Sequence, residues 1–371
     1  MLILSKLEQL RPFFNPRIIF RITPPTGIYL RFLSRPATSC DIRRRYRSDS
    51  RIQEHGSRKR LSLEVREPSP EVRKEFDFSC FYRAIREKGL PLPCDSFLSW
   101  FVGFTEGDGS FVTIERGKIC MFVVTQSCND VEILYHIQKS LGFGRVYKQG
   151  VRTSRFVVQD RSGLYILFSL FNGNLIFPRQ KLQFKKWVEW AGLGFRKKGL
   201  RACAHSEALE AKLSKQNSRS KAVQERDPVI HSDILPCLEN GWISGLTDSE
   251  GCFTASLLSN STHFRLRFIL SQKGDDNLPV LSHLIYLFRG GSIEAHSIKS
   301  NYSYILSGVK NCYNVYKYFS LFPLKSKKRE SLQLWKSLHV DILRKSHLDP
   351  DKRGLLSEKA KRINSIKRKS K

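Results

Sequence analysis

Two short stretches place carboxylates where ordinary helix design avoids them. "WFVGFTEGDGSF" (100–111) ends an apolar, helically spaced run on Glu106, Gly107, Asp108 and Gly109, then turns at once into a β-rich segment. "WISGLTDSEGCF" (242–253) does the same on Asp248, Ser249, Glu250 and Gly251. The last turn of a helix presents unpaired carbonyls and a negative dipole end, which lysine or arginine would stabilise. Acids there cost stability, and such departures tend to mark function. Small residues four apart, Gly103 with Gly107 and Gly245 with Ser249, leave strips along which another helix backbone can approach closely. If the two helices pack through these strips, their C-terminal ends meet and Asp108 comes near Glu250. Two carboxylates held close repel each other unless cations sit between them. Hard divalent ions suit that site, and Mg²⁺ characteristically binds through one or two carboxylates plus phosphate oxygens. Paired ions of this kind activate water and stabilise the leaving oxygen of an in-line phosphoryl displacement. Glu106 and Asp248 read as structural, bonding backbone at the helix–helix junction. A calcium loop is excluded, because the spaced ligand series of an EF-hand is absent.

The elements that must position these groups follow from a repeat. Superposed, the two stretches share threonines at 105/247, acids at 106/248 and 108/250, and glycines at 109/251. "FVVTQ" (122–126) then lies over "FILSQ" (268–272), so Gln126 pairs with Gln272. "LGFGRV" (141–146) matches "LFRGGSI" (287–293), and "RQKLQFKKW" (179–187) matches "SKKRESLQLW" (326–335). Four matches in one order make the chain two copies of one unit. Each unit reads as helix, hairpin, helix, hairpin, helix. The first helix is stopped by Gly109. "SFVTIERGKICMFVVTQ" is β-branched and aromatic with a turn at Arg116-Gly117. "NDVEILYHIQKSLG" opens on an Asn/Asp cap and carries apolar residues at Val131, Leu134, Ile137 and Leu141. In "HFRLRFIL", Phe264, Leu266, Phe268 and Leu270 alternate with His263, Arg265 and Arg267, so one face suits a core and the other carries positive charge. Basic β-faces on both sides of the carboxylates would hold a duplex, with side chains reading base edges in the major groove.

Composition agrees. Sixty-four Lys and Arg against 34 Asp and Glu give a formal charge of +30 and a pI near 10.0. Such a surplus favours a polyanionic partner, since each phosphate neutralised releases condensed counterions. The nine cysteines form neither a CxxC pair nor a zinc-spaced cluster and read as reduced thiols. No apolar run reaches transmembrane length. The first 60 residues carry twelve Arg and two Lys against four acids. That is the composition of an organellar transit peptide or of a disordered basic leader, and the residues alone leave both open. The expected organisation is a leader over 1–94, a first unit over 95–192, a charged linker over 193–234, a second unit over 235–350 and a basic tail over 351–371.

"FVGFTEGDG" and "ISGLTDSEG" resemble the paired signature motifs of a single-chain LAGLIDADG homing endonuclease, across both units but not the leader. The resemblance implies an α+β fold of two pseudosymmetric αββαββα units. Their signature helices would form the interface, and two antiparallel sheets would make a saddle over DNA. It implies a monomer with internal pseudo-twofold symmetry, acting on a long double-stranded DNA site without a membrane partner. It assigns the metal-binding carboxylates to Asp108 and Glu250, with Gly107 and Ser249 beside them, and the helix interface to Gly103, Glu106, Gly245 and Asp248. Gln126 and Gln272 match the family's strand-end glutamine. Lys181 matches its lysine ahead of the last helix, and in the second unit Lys328 is the better of several candidates in a basic cluster. Arg265, Arg267, His263, Arg145, Lys148 and Arg155 are expected to face DNA. The implied cofactor is Mg²⁺, with Mn²⁺ the other ion that would serve. The implied activity is double-strand cleavage leaving 3′ overhangs, in the service of intron homing. The alternative is a maturase that binds its own intron RNA on the same scaffold. Mitochondrion is the expected location and chloroplast the alternative.

Overall fold

The computed structural model describes residues 60–61, 75–114, 116, 119–192, 228–230, 232–257 and 263–365. All belong to one compact unit spanning 58–371. The chain enters through a two-residue strand β1 (Arg60–Leu61) and a helix α1 (Ser79–Arg86). The first repeat follows as α2 (Asp95–Asp108), β2 (Gly109–Ile114), β3 (Ile119–Ser127), α3 (Val131–Leu141), β4 (Arg145–Gln149), β5 (Thr153–Val158), α4 (Arg161–Phe171) and α5 (Pro178–Ala191). The second runs α6 (Trp242–Glu250), β6 (Gly251–Leu257), β7 (Phe264–Lys273), α7 (Leu278–Leu287), β8 (Ser292–Ala295) and β9 (Asn301–Ser307). It is completed by the helices α8 (Val309–Cys312), α9 (Asn314–Leu321) and α10 (Lys328–Leu343). A last helix, α11 (Pro350–Ser365), closes the described chain.

The two antiparallel sheets share one topology. The first has order β2-β3-β5-β4, and the second repeats it as β6-β7-β9-β8 with β1 added beyond β8. Register repeats too: Gly109 faces Val124, and Gly251 faces Leu270. Each sheet buries one face. Phe122, Val124 and Phe156 in the first sheet and Leu266, Phe268 and Leu270 in the second are essentially inaccessible, as alternation on a half-buried strand requires. The cores correspond ring for ring: Phe111, Phe122 and Trp187 cluster in one, and Phe253, Phe268 and Trp335 in the other.

Four expectations change. Residues 75–94, assigned to the leader, are part of the fold: Phe78, Phe81 and Ile85 are buried, and Asn174 exchanges two hydrogen bonds with the backbone of Asp77. Most of the tail expected over 351–371 is α11, which buries Leu356, Ala360 and Ile363. Its Asn364 side chain accepts from the Ala255 N–H and donates to the Ala255 carbonyl, sealing the free edge of β6. Asp130, the N-cap of α3, makes no side-chain cap bond, and Ser127 caps the short 3-10 turn that precedes the helix. Asp130 instead accepts from the Lys327 N–H in the other unit. Cys80 departs from the expectation of reduced thiols, being disulfide-bonded. The basic leader before residue 60, most of the linker and residues 366–371 lie outside the described residues.

Candidate active site

The seam between the units is the α2–α6 pair. A Cβ on Gly103 would overlap the carbonyl oxygen of Trp242, and one on Gly245 would overlap that of Trp100. Nearer the helix ends, a Cβ on Gly107 would overlap the Ser249 side chain and lie 3.0 Å from Cγ of Glu250. The small-residue strips therefore set how closely the backbones approach, and they carry the two C-terminal ends to one place. Both helices end abruptly on glycines in extended conformation, Gly109 and Gly251. A Cβ at Gly109 would meet the Thr105 carbonyl oxygen at 2.6 Å. Glycine thus lets the chain leave the helix directly into the sheet. No basic residue stands in the last turn of either helix.

Glu106 and Asp248 hold this junction through crossed hydrogen bonds. Trp242 Nε1 donates to Glu106 Oε2 at 2.5 Å, and Trp100 Nε1 donates to Asp248 Oδ2 at 2.9 Å. Each tryptophan thus satisfies the acid of the other unit. Glu106 Oε1 also accepts from the N–H groups of Ile176 and Phe177, at 2.7 and 2.6 Å. Asp248 accepts from the Lys325 and Ser326 N–H groups and from the Ser326 hydroxyl. Each acid ties its motif helix to the loop that starts the last long helix of its own unit. Burial pushes the Glu106 carboxyl up to about 7, while the Phe177 N–H, the Trp242 indole and the Ile176 N–H pull it back toward the carboxylate. Burial raises Asp248 as well, against donation from Ser326, Lys325 and Trp100. These hydrogen bonds hold both carboxyls at the junction.

Asp108 and Glu250 sit two residues further on, where each helix meets its sheet. Gln126 Nε2 donates to Asp108 Oδ2 at 2.5 Å, as the strand-end position of Gln126 in β3 allows. Its counterpart Gln272 is in the matching place on β7, and its Nε2 is buried without a hydrogen-bond partner. Lys328, in the first turn of α10, donates to the carbonyls of Thr247 at 3.0 Å and of Asp248 and Ser249 at 2.7 Å each. It supplies the cation that the end of α6 lacks. Lys181 does not do this for α2. Its Nζ donates to the Ser232 carbonyl at 2.5 Å, and burial depresses its pKa. The side chain that reaches the end of α2 is Gln180, whose Nε2 donates to the Glu106 carbonyl at 3.1 Å.

The donor set fits a hard divalent ion. Among the described residues no group of three or more His, Cys, Asp or Glu side chains could hold a metal. An ion at the seam would therefore draw on Asp108 and Glu250, the adjoining Gly107 and Ser249 carbonyls, water and substrate oxygens, which is the mixture Mg²⁺ accepts.

Register assigns the expected basic residues to faces. Arg155 pairs with Thr125 and Tyr147, and Arg145 pairs with Val157, so both arginines lie on the face opposite the first core. Arg267 pairs with Thr254 and Ser307, and Arg265 with Ser256, on the corresponding face of the second sheet. Lys148 pairs with Ser154 and so has the opposite parity from Arg145 and Arg155, although it is exposed at the strand end. His263 is exposed just ahead of β7. Sequence reasoning missed Trp100, Trp242, Ser326 and Gln180 as parts of the junction. The repeated tryptophan that opens both motifs was the signal for the first two.

A family model described as LAGLIDADG endonuclease matches residues 101–191 and 243–339, one copy in each unit. "Probable intron-encoded endonuclease 4" of Neurospora crassa is 35% identical over 275 residues, covering 72% of this chain and 44% of that protein. "Probable intron-encoded endonuclease Cox1-I1b" of Schizosaccharomyces pombe is 31% identical over 170 residues, 43% of this chain and 41% of that protein. The matched part of the chain thus spans less than half the length of these two curated relatives. Among solved structures, the LAGLIDADG homing endonuclease I-GzeII, in complex with its DNA target, shares the fold. Its TM-score is 0.55 at 20% identity, over 72% of this chain and 98% of that one. The duplicated unit, the paired motif helices and the two matched copies lead to one conclusion: the chain belongs to the LAGLIDADG endonuclease family.

Proposed function

We propose that this protein is a site-specific, Mg²⁺-dependent DNA endonuclease that cuts both strands of a long duplex site, leaving 3′ overhangs, and so promotes the homing of its intron. One observation carries the reading. Two carboxylate-bearing helix ends, Asp108 and Glu250, are drawn together by glycine strips between two sheets whose outer faces carry Arg155, Arg145, Arg267 and Arg265. Bound divalent ions would supply an activated water and charge neutralisation at the scissile phosphates. The chain's own residues do the rest. Asp108 and Glu250 would hold the ions, Gln126 orients the Asp108 carboxylate, and the arginines bind and orient the duplex. The intact acid pair supports an enzyme over a binding module that has only the saddle. The DNA-bound relative and the intron-encoded relatives support the same substrate and genetic setting. They also support an organellar location, with the mitochondrion preferred.

The test is to incubate the purified chain with a plasmid carrying the uninterrupted allele of its host gene, with Mg²⁺ or with EDTA. Double-strand cleavage that needs the metal, and that is lost in Asp108→Asn and Glu250→Gln variants which still bind the duplex, is expected. If Mg²⁺ never produces cleavage while the chain binds its own intron RNA tightly, the endonuclease reading gives way to the maturase.

A further inference from the structure

An apolar side chain at the same place in each unit is left out of both cores. Val151, at the tip of the β4–β5 hairpin, is 86% exposed, more than any other large hydrophobic residue among the described residues. Ile298, at the tip of the β8–β9 hairpin, is 63% exposed. A cation follows each, Arg152 and Lys299, and neither tip, 149–153 or 297–301, contains an acid. Both tips are pinned. In the first, the Thr153 hydroxyl donates to the Gln149 carbonyl at 2.6 Å, and the Cys128 N–H donates to the Arg152 carbonyl at 2.8 Å. In the second, the Gly274 N–H donates to the Ser300 carbonyl at 2.7 Å, and the Ser300 hydroxyl donates to Asp275 at 3.0 Å. Each tip thus hangs on the turn that follows the glutamine-bearing strand of its own unit. Register carries both to the end of the sheet where the motif acids stand. Gln126, the donor to Asp108, pairs with Ser154, and Gln272 pairs with Tyr302. Val151 and Ile298 are three and four residues from those partners, at most ~10 and ~14 Å of extended chain. The pairs nearest the tips, Gln149 with Thr153 and Lys273 with Asn301, have the parity of Arg155 and Arg267. The strands therefore enter their tips on the outer face.

We propose that Val151 and Ile298 are apolar wedges that press into the duplex at one base step in each half of the site, so that the deformability of those steps is part of what this protein recognises. The inference rests on the duplex substrate proposed above. A single exposed apolar side chain is ordinary. Its return in both units, at an equivalent pinned position beside a cation, calls for a partner that is apolar at one point and anionic next to it. A duplex presents those two surfaces in that order, with stacked bases inside and phosphates outside. Aliphatic side chains inserted between base steps partly unstack them and kink the duplex. Pyrimidine–purine steps, TA and CA/TG, unstack and kink most easily. Recognition at such a step needs no hydrogen bond to a base. Val151 and Ile298 cover the opened step, and Arg152 and Lys299 neutralise the phosphates beside it. One tip comes from each unit, so two kinks are expected, related by the pseudo-twofold.

The experiment uses the full chain and a duplex carrying the uninterrupted allele, with 2-aminopurine placed one position at a time across the middle of the site. Fluorescence is followed from the moment of mixing with Mg²⁺, so that a rise on binding is separated from cleavage. Wild type is expected to raise the signal at two places, one in each half, as the base there loses its stacking. Val151→Ser should abolish the rise in one half only, and Ile298→Ser in the other half only. Each should weaken binding roughly 10-fold, the order expected when one aliphatic side chain is no longer buried. The salt slope of the association constant should not change, because no charge is removed. Val151→Leu and Ile298→Leu should keep both rises. Melting temperatures are measured for every variant. Replacing the step at either place by a stiff A-tract should reproduce the loss with the wild-type protein. No rise on a duplex that wild type binds and cuts, or rises that survive both serine substitutions, overturn the inference while the endonuclease reading stands. A wild-type chain that neither binds nor cuts the duplex overturns that reading and this inference with it.

Discussion

Replacing Gly103 by alanine is the most direct challenge to the seam. In the middle of an exposed helix that exchange is favourable by roughly 0.5–1 kcal/mol, because glycine loses more backbone freedom on folding. At Gly103 the new methyl would overlap the Trp242 carbonyl oxygen, and it would sit 2.9 Å from the Trp242 carbonyl carbon and 3.1 Å from the Leu246 nitrogen. These are backbone atoms of a packed helix, so no rotamer change relieves the overlap and α2 must move away from α6. Overpacking a well-filled contact costs about 1–3 kcal/mol. The same movement stretches the crossed tryptophan–acid bonds at 2.5 and 2.9 Å, and each hydrogen bond to a charged group is worth about 1.5–3 kcal/mol. The sum outweighs the helix-propensity gain, leaving a net loss of about 3 kcal/mol or more. Gly354 in α11 provides the internal control, because a Cβ there meets nothing within 4 Å. Gly354→Ala should be neutral or stabilising by up to ~1 kcal/mol. Urea unfolding followed by circular dichroism reads both midpoints. If Gly103→Ala unfolds at the wild-type midpoint, close backbone approach does not set the geometry of this interface.

Three further outcomes follow from the junction and the sheets. Burial raises the Glu106 carboxyl from 4.5 to about 7. The folded state therefore holds the proton more tightly than the unfolded chain, and stability falls as pH rises from about 4.5 to about 7. That difference amounts to roughly 3 kcal/mol at one unit per 1.36 kcal/mol. Unfolding free energies between pH 5 and 7.5 should show this slope in wild type and lose it in Glu106→Gln. A slope unchanged by the substitution would mean that another group is responsible. Trp100→Phe removes the indole donor to Asp248 and should cost about 1.5–3 kcal/mol, measured as a lowered urea midpoint. No change there would mean that the crossed bond contributes nothing. Finally, Arg155→Ala and Arg267→Ala should each weaken duplex binding and reduce the salt slope of the association constant by about 1 if the contact is to phosphate. Fluorescence anisotropy over a salt series checks this, and unchanged affinity would remove those arginines from the interface.

Much of this architecture was legible because the chain states it twice. The repeated acids, glycines and threonines pointed to the seam and its polarity. Gln126 and Gln272 stand at matching places near the ends of β3 and β7. The misses have physical reasons. In the first unit a lysine, Lys181, stands one residue beyond Gln180, and its ammonium bonds the Ser232 carbonyl. Counting back from the buried tryptophans Trp187 and Trp335, which packing fixes, arrives at Gln180 instead. In the segment before Asp95, the spacing of Phe78, Phe81 and Ile85 is helical, but the charges around it hid an amphipathic pattern. The same applies to α11, where Leu356, Ala360 and Ile363 form a buried stripe within a basic sequence. Crossed partnerships such as Trp100 with Asp248 leave no local trace, since their members are 148 residues apart.

Those crossed partnerships also bear on how such a protein can diversify. Each buried acid takes one of its hydrogen bonds from the tryptophan of the opposite unit, so the two motifs are best inherited as a matched set. A unit copied out of this chain alone would carry a buried carboxylate short of a donor and an indole with nowhere to give its proton. The outer faces of the sheets carry no such obligation. Substitutions at Arg155, Tyr147, Thr254 or Arg267 leave the exchange of tryptophan and acid untouched. Drift toward a new binding sequence can therefore proceed on the saddle, one unit at a time, while the seam holds the two lineages together.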